Sequence, residues 1–403
     1  MKNLINKKIL LVICGGIAAY KALELIRILK RNKCQIKTIL TKGALEFITP
    51  LSVSSLSNEK VFTDLFDFKN EAEMDHISLS RWADVLLFAP ATANKIAQLS
   101  NGLAEDLATT VALASDKDIF LAPAMNVRMW ENAITKSNLS KLINSNFKII
   151  GPDIGEMACG EYGSGKFSDP VKILNVINEY FKNLEENKKF KALVTAGPTR
   201  EYIDPVRFIT NRSSGKQGYA IAKELQKNGF HTTLISGPTN LKPPDGVKII
   251  NVNSADEMYE KTLESLPADV AIFAAAVADF KMKEINQHKI KKENFEKLEI
   301  EKNKDILDYT SKHNKLRPKI VIGFAAETNN LEKNSRKKLD EKNCDWIIAN
   351  DVSNTKIGFD SKYNEVKIFE RNKNNIENIS FNTKEMIAKR LVEKISNELK
   401  VNG

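Results

Sequence analysis

One pattern recurs along this chain and restricts what it can fold into. A short, predominantly apolar run is followed by a glycine-containing turn and then by apolar residues at helical spacing. "KILLVICGGIAAYKALELIRIL" (8–29) shows it first. A run that is apolar at every position is buried on both faces, which is the signature of a parallel strand with helices above and below. Further runs fall at 36–40, 84–89, 118–122 and 147–150. Ala18, Ala22, Leu25, Ile26 and Leu29 share one face of the first intervening helix. A second series begins at "KALVTAGPT" and continues near 232–235, 247–252, 270–276, 319–324 and 345–348, with a hairpin expected near 357–370. Between the two series "FKNLEENKKF" (181–190) is charged and lacks strand pattern, so it reads as a helix end running into a linker. A chain of 403 residues exceeds one ordinary core. The expectation is α/β: two three-layer α/β domains with mainly parallel sheets, residues 1–188 and 189–403, with the boundary near 185–190.

Composition matters mainly for what it excludes. The net charge is +10, but the densest basic cluster, "KIKK" (289–292), has no interleaved aromatics. A compact polyanion such as a nucleotide triphosphate suits it better than nucleic acid. No run approaches the roughly 18 apolar residues of a membrane span, so no membrane partner is expected. The apolar N-terminal run is short and ends in Gly-Gly, reading as a strand rather than a signal peptide; a cytoplasmic protein is expected. The four cysteines, Cys14, Cys34, Cys159 and Cys344, form no CxxC pair, and the four histidines have no ligand spacing. Neither a disulfide framework nor a metal held by protein ligands is expected.

Two turns are candidate anion sites. Gly15 and Gly16 allow close backbone approach, and the helix start at Ile17–Ala18 offers free N–H groups. Thr41, Lys42 and Gly43 form a similar turn after the second strand. The GxGxxG spacing is absent, so a plain structural turn is an equal reading.

Four stretches then occur in order: "HISLSRWAD" (76–84), "PATANKIAQLSNGLAEDL" (90–107), "PAMNVRMW" (123–130) and "GEMACGEYGSGKFSDP" (155–170). Together they make residues 5–175 resemble the homo-oligomeric flavin-containing cysteine decarboxylases. The resemblance implies a flavoprotein-type first domain holding FMN against Gly15, Gly16, Ile17, Thr41, Lys42, Gly43, Thr92, Ala93, Asn94 and Ala124. It implies oxidative decarboxylation of 4′-phosphopantothenoylcysteine. Hydride leaves Cβ to give a thioaldehyde, which accepts the electrons released with carbon dioxide; hydride then returns with a proton. Cys159 is the expected proton donor, on a lid made pliable by Gly155, Gly160, Gly163 and Gly165; a small residue in a bent loop is the bland reading. His76 is expected as base or carboxyl-polarising group, and Asn126 as the holder of the substrate carboxylate. Met129 and Trp130 read equally well as core. The family assembles as trimers with flavin sites across subunit interfaces, so His76 is expected to serve a neighbour.

In the second half "VTAGPTREYIDPVRFITNRSSGKQGYAIAKEL" (194–225) is strand, loop, helix, with Ser213, Ser214, Gly215 and Gly218 at the helix start. The acidic residue that a nicotinamide-binding fold carries after its second strand is missing from "TTLISGPTN" (232–240). "NRSSG", "AAAVADF" (274–280), "KIKK", "GFAAET" (323–328) and "KKLDEKNCDWIIAN" (337–350) instead make residues 190–395 resemble phosphopantothenate–cysteine ligase. A Rossmann-like domain is implied, activating 4′-phosphopantothenate with CTP and Mg2+ as an acyl-cytidylate that the amine of cysteine attacks. Expected nucleotide contacts are Ala274, Ala275, Ala276, Asp279, Lys289, Asn303, Asp305, Ile306, Phe324, Lys338 and Lys342. Lys289 is assigned to activation and Asn211 to turnover of the acyl-cytidylate; Lys291 and Lys292 read as solvated charges. The family's Asn-Pro-Asp-Ile loop appears as Asn303-Lys304-Asp305-Ile306, and Lys166 stands where the family often has arginine. A chain joining both halves is similar to the bifunctional proteins of bacterial coenzyme A biosynthesis. A trimer-forming first half and a dimer-forming second half imply a homo-oligomer as large as a dodecamer. Two alternatives remain at this point. A flavin-binding regulatory protein is disfavoured by the joint presence of Cys159 and Asn126. An NAD(P)-linked flavin oxidoreductase is disfavoured by the missing acidic residue.

Overall fold

The apolar runs become parallel strands. The computed structural model describes residues 1–65, 75–291, 297–353, 361–373 and 375–401. The chain divides into two compact units, Met1–Lys182 and Asn183–Gly403.

In the first unit, β1 (Lys8–Ile13) pairs in parallel with β2 (Gln35–Leu40) on one side and β4 (Val85–Ala91) on the other. With β3 (Val61–Phe62), β5 (Asp118–Pro123) and β6 (Lys148–Ile149) the sheet order is β3-β2-β1-β4-β5-β6. Every residue of β4 and β5 is buried, as an apolar strand covered on both faces must be. The strand order reverses between β1 and β4. Loops leaving the carboxyl ends of those strands therefore diverge and open a crevice. The helix Ala19–Arg31 buries Ala22, Leu25, Ile26 and Leu29 as expected; it starts one to two residues later than expected, with Ala18 as its N-cap. Burying each such Leu or Ile contributes about 2 kcal/mol.

The glycine-rich stretch expected as a loose loop is an antiparallel hairpin, β7 (Asp153–Glu156) and β8 (Tyr162–Lys166), with Cys159 in its turn. Three of its glycines, Gly155, Gly163 and Gly165, are there for close approach. A β-carbon on Gly165 would lie 2.3 Å from the Met125 carbonyl oxygen, and the Met125 N–H donates to the Gly165 carbonyl at 3.0 Å.

The charged 181–190 stretch continues the helix Pro170–Asn187. The second unit is built on β9 (Lys191–Ala196), with two small ribbons beside its sheet: β10 (Arg200–Tyr202) with β11 (Phe208–Thr210), and β15 (Phe280–Met282) with β16 (Ile300–Lys302). β12 (His231–Ser236), β13 (Lys248–Asn251), β14 (Val270–Phe273), β17 (Ile320–Glu327), β18 (Trp346–Asp351), β19 (Tyr363–Glu370) and β20 (Glu377–Thr383) complete an eight-stranded sheet. Its order is β13-β12-β9-β14-β17-β18-β19-β20, reversing between β9 and β14. It is parallel up to β18; β19 and β20 run antiparallel. The expected 357–370 hairpin is thus β19–β20, later in the chain, and residues 354–360 lie outside the described residues. The strand expected to run through 276 stops at Phe273. Beyond it the Ala274, Ala276 and Ala278 amides turn to Thr195, Gly197 and Thr199 of the neighbouring turn. Among the described residues, no helix is long and apolar enough to cross a membrane.

Candidate active sites

At the switch point of the first unit lies a cavity of about 550 Å³. Three strand ends supply its floor: Gly16 and Ile17 after β1, Thr92 after β4, and Ala124 to Asn126 after β5. The hairpin supplies its roof, with Met157, Cys159 and Lys166 in the wall. Thr92 N-caps the helix Ala93–Ser100, accepting from the Lys95 N–H at 3.3 Å, so that helix's first-turn N–H groups flank the cavity. An apolar wall (Ile17, Ala18, Pro90, Met125, Phe167) with a few polar groups and a helix N-terminus suits a flat aromatic ring system carrying an anionic tail.

Asn126 is oriented by its own backbone. It N-caps the helix Val127–Glu131, its Oδ1 accepting from the Arg128 N–H at 2.8 Å. The amide nitrogen must then point the other way, where it donates to the Cys159 Sγ at 3.5 Å and to Glu161 Oε2. Sequence reading thus placed Asn126 and Cys159 in one site but overlooked Glu161, two residues beyond the cysteine.

The four cysteines separate sharply. Burial pushes the Cys14 thiol up to about 12, and the Cys34 and Cys344 thiols up to about 11 each. Cys159 alone is exposed. An accessible thiol beside an amide donor can exchange protons with a ligand; the buried three cannot.

Not every expected flavin contact meets in this cavity. Gly15 packs against Gly43: a β-carbon there would lie 2.5 Å from the Gly43 carbonyl carbon. The Thr41 hydroxyl is buried and donates to the Ile13 carbonyl at 3.3 Å. Thr41 and Lys42 line a separate cavity of about 340 Å³ with Asp64 and Asp106. Ala93 and Asn94 stand on the helix beside the first cavity without lining it, and neither does His76, half-buried on the helix Asp75–Trp82. Trp130 packs against the core, whereas Met129 is exposed.

A feature that sequence reading missed lies on the helix that Thr92 caps. Lys95 is almost fully buried and its ammonium meets the Asp106 carboxylate at 2.5 Å. Asp106 also caps the helix Leu107–Ala114 in a reciprocal capping box with Thr109. Burial raises the Asp106 carboxyl, but hydrogen bonds from Lys95 and Thr109 outweigh it and hold the group below its ordinary value. The signal was the Asp-x-x-Thr spacing ahead of an apolar run.

The second unit has its own cavity, about 440 Å³, at the β9/β14 switch point. It gathers Ala275, Asp279, Asn303, Asp305, Ile306, Phe324, Lys338 and Lys342 from four separate stretches of sequence. The Asn303 side-chain amide donates to the Ala278 carbonyl at 2.8 Å, which pins one loop to the other. Asp305 caps the helix Ile306–Ser311 and pairs with Lys342 at 2.9 Å, while the Lys338 ammonium donates to the Phe324 carbonyl at 3.0 Å. Burial raises the Asp305 carboxyl, but the Asp308 N–H and Lys342 hold it below its ordinary value. Lys302 and Lys304 join Lys338 and Lys342 in the wall against Asp279 and Asp305. That balance favours a polyanion. Where proline was expected, the Lys304 ammonium lies over the Tyr259 ring at 4.6 Å.

Ala274 and Ala276 line an adjoining space of about 130 Å³ with Ser213, Ser214, Gly215 and Lys384, sharing Ala275 and Phe324 with the larger cavity. The amides of Ala274, Ala275 and Ala276 are spent on Thr195 and Gly197, and the Ala276 carbonyl accepts from the Thr199 N–H at 3.4 Å, so these residues offer a ligand the Ala274 and Ala275 carbonyl oxygens rather than donors. Asn211 donates to the Val277 carbonyl at 2.8 Å, beside this loop. Lys289 is exposed and lines neither cavity; Lys291 is exposed too, and Lys292 lies outside the described residues. Their segment is nonetheless anchored. Arg207 donates to the Ile290 carbonyl at 2.8 Å and pairs at 2.5 Å with the fully buried Asp204, which accepts from the Ile290 N–H at 3.2 Å. Among the described residues, no group of three or more His, Cys, Asp or Glu side chains is placed to hold a metal.

Two family models match the chain, one within each unit. Residues 1–182 match the family described as Flavoprotein, and residues 187–399 the DNA/pantothenate metabolism flavoprotein C-terminal domain. The chain is 42% identical over 392 residues to the Coenzyme A biosynthesis bifunctional protein CoaBC of Haemophilus influenzae, covering 97% of each chain. It is 40% identical over 398 residues to the protein of that name from Escherichia coli, covering 98% of this chain and 97% of that one. The solved C-terminal domain of a protein so named aligns with 53% of this chain and 98% of its own at 38% identity, with a TM-score of 0.45. The chain belongs to the family of coenzyme A biosynthesis bifunctional proteins, a flavoprotein unit followed by a pantothenate-metabolism unit.

Proposed function

We propose that the second unit joins 4′-phosphopantothenate to cysteine with CTP and Mg2+, and that the first, carrying FMN, decarboxylates the resulting 4′-phosphopantothenoylcysteine to 4′-phosphopantetheine. A member of this family is a bifunctional enzyme of coenzyme A biosynthesis with decarboxylase and ligase activities. The observation that carries the reading of the first site is the Asn126 amide facing the accessible Cys159 thiol across a cavity floored by Gly16 and Thr92.

FMN, when bound, supplies hydride transfer. Gly16, Ile17, Thr92 and Ala124 would hold it, and Ala93 and Asn94 would offer first-turn N–H groups to its phosphate. The protein's own side chains do the rest. Asn126 holds the substrate carboxylate by hydrogen bonding without adding charge that would stop carbon dioxide from leaving. The hairpin closes over the intermediate, and Cys159 delivers a proton to the carbon that lost its carboxylate. His76, outside the cavity of a single chain, would act on a neighbouring subunit's site within a trimer.

In the second unit Lys338, Lys342 and the Lys289 segment would neutralise the triphosphate with Mg2+ brought by the nucleotide. Asp279 and the Ala274 and Ala275 carbonyls would take the ribose and base, Phe324 would pack on the base, and Asn303, Asp305 and Ile306 would form the loop beneath it. Asn211 would assist the amine's attack on the acyl-cytidylate. Pairing of second units would turn trimers into a dodecamer. Incubation of the whole protein with 4′-phosphopantothenate, cysteine, CTP and Mg2+, followed by mass, tests the assignment. Sequential appearance of the cysteine adduct and its decarboxylated product is expected; loss of carbon dioxide without prior ligation would sink the order.

A further inference from the structure

We infer that Glu161 is a built-in stand-in for the substrate's carboxylate, occupying the Asn126 amide until a substrate displaces it. The inference rests on the reading of Asn126 as the holder of that carboxylate.

The supply of donors decides the matter. Asn126 spends its oxygen on the Arg128 N–H at 2.8 Å, so the side chain cannot flip without losing the helix cap. Its nitrogen carries two hydrogens, and both are engaged, one by the Cys159 sulfur at 3.5 Å and one by the Glu161 carboxylate. A second carboxylate cannot use the same amide while Glu161 holds it. Substrate binding is therefore an exchange of like for like.

Glu161 is built to let go. It is half-buried and, among the described residues, makes no ion pair; its polar side-chain partners are the neutral Asn126 amide and the Cys159 thiol at 3.9 Å. A neutral amide holds a carboxylate far less firmly than an arginine would. Glu161 is also tied to the cysteine. Its carbonyl accepts from the Met157 N–H at 2.9 Å, closing the hairpin turn that carries Cys159, so the two residues shift together. Displacing Glu161 from Asn126 thus re-seats the turn on the substrate.

The chemistry then resets the device. Decarboxylation removes the one group of the substrate that competes for Asn126. The product leaves the amide without a carboxylate, and Glu161 returns to it. Glu161 thereby competes with the carboxylate-bearing substrate alone, lowering its affinity, and leaves the product's neutral end no hold on the amide.

The test compares the substrate KM with inhibition by the product, 4′-phosphopantetheine, in the flavin-loaded full chain. Removing a competing internal ligand raises apparent affinity by the inverse of the fraction of molecules that were free of it. Glu161→Ala is expected to lower the substrate KM about fivefold while the product's inhibition constant moves less than about twofold. Glu161→Gln, isosteric and neutral, is expected to fall between, about twofold, and carries the test if the alanine variant loses its flavin. An unchanged or raised substrate KM, or equal shifts for substrate and product, overturns the inference. Asn126→Ala separates the two readings. If it leaves the substrate KM at the wild-type value, Asn126 does not hold the carboxylate and the underlying reading fails. If it raises KM while Glu161→Ala changes nothing, only the stand-in role fails.

Discussion

Gly15 and Gly43 meet backbone to backbone, so that a β-carbon on Gly15 would lie 2.5 Å from the Gly43 carbonyl carbon. The turns after β1 and β2 are thus pressed together, and neither can move without the other. Gly15→Ala is expected to cost about 1–3 kcal/mol through overpacking and to lose bound flavin. Gly16→Ala, with nothing within 4 Å of its β-carbon, is expected to stay within about 0.5 kcal/mol of wild type. Thermal melts of the two variants check the packing cost, and equal melts would deny the contact; visible flavin absorbance is read on the Gly15 variant.

Cys159→Ser keeps the hairpin, because the residue is exposed in its turn and fills no core. A hydroxyl is a far weaker acid than a thiol. The variant is expected to ligate normally and to stall decarboxylation at an oxidised enethiol, detected by mass. Normal saturated product would remove Cys159 from its role.

Lys95 and Asp106 should respond unequally to mutation, because the ammonium is buried and the carboxylate is one-third exposed. Asp106→Asn keeps a capping side chain but strands a buried positive charge, at about 3–5 kcal/mol. Lys95→Met leaves a partly hydrated carboxylate still bonded to Thr109, at about 1 kcal/mol. Urea midpoints of the two variants measure the difference, and the reverse order would refute it.

Acid should weaken the anchor of the lysine segment. The Arg207 guanidinium, opposed by burial and helped by the Val206, Ile290 and Arg207 N–H groups, holds the Asp204 carboxyl below the usual carboxylate range. Its folded value lies under its unfolded value, so its contribution is complete above pH of about 4 and drains away as pH falls further. Asp204→Asn is expected to flatten the loss of stability below that pH. Circular dichroism of urea unfolding at several pH values follows it, and identical slopes would exclude Asp204 as a source.

The ligase half-reactions should separate by residue. Lys289→Gln is expected to block acyl-cytidylate formation, and Asn211→Asp to accumulate it. Lys342→Met should raise the CTP KM roughly tenfold, about 1.4 kcal/mol, while Lys337→Met, in the helix Leu331–Glu341 that Lys342 caps but outside the cavity, should not. Chelation of Mg2+ should stop ligation and spare decarboxylation of added 4′-phosphopantothenoylcysteine. Product analysis by mass with pyrophosphate release reads the four variants and the chelated enzyme, and arrest of the first two variants at one stage would contradict the division of labour.

Much of this fold was legible because strands buried on both faces are apolar at nearly every position: β1, β4, β5, β9 and β17 announced themselves. The short ribbons β10–β11 and β15–β16 were not, since three residues apiece are too few to show a period. In the sites, Asn126 and Cys159 were legible through quoted motifs, and eight of the expected nucleotide contacts do share one cavity. Glu161 and Lys95 were not legible, because a lone carboxylate or lysine reads as surface charge until its partner is known.

The sequence by itself determined the two α/β units, their strand-turn-helix units and the residue types available for chemistry, because burial periodicity and glycine turns are local properties. Only the tertiary structure decided which turn meets which. Gly15 serves packing, Thr41 serves the strand before it, and Asn126 is aimed by the helix it caps toward Cys159, 33 residues on. Such choices depend on which strand ends lie side by side, and the sheet order that sets this is a long-range property no stretch of sequence contains.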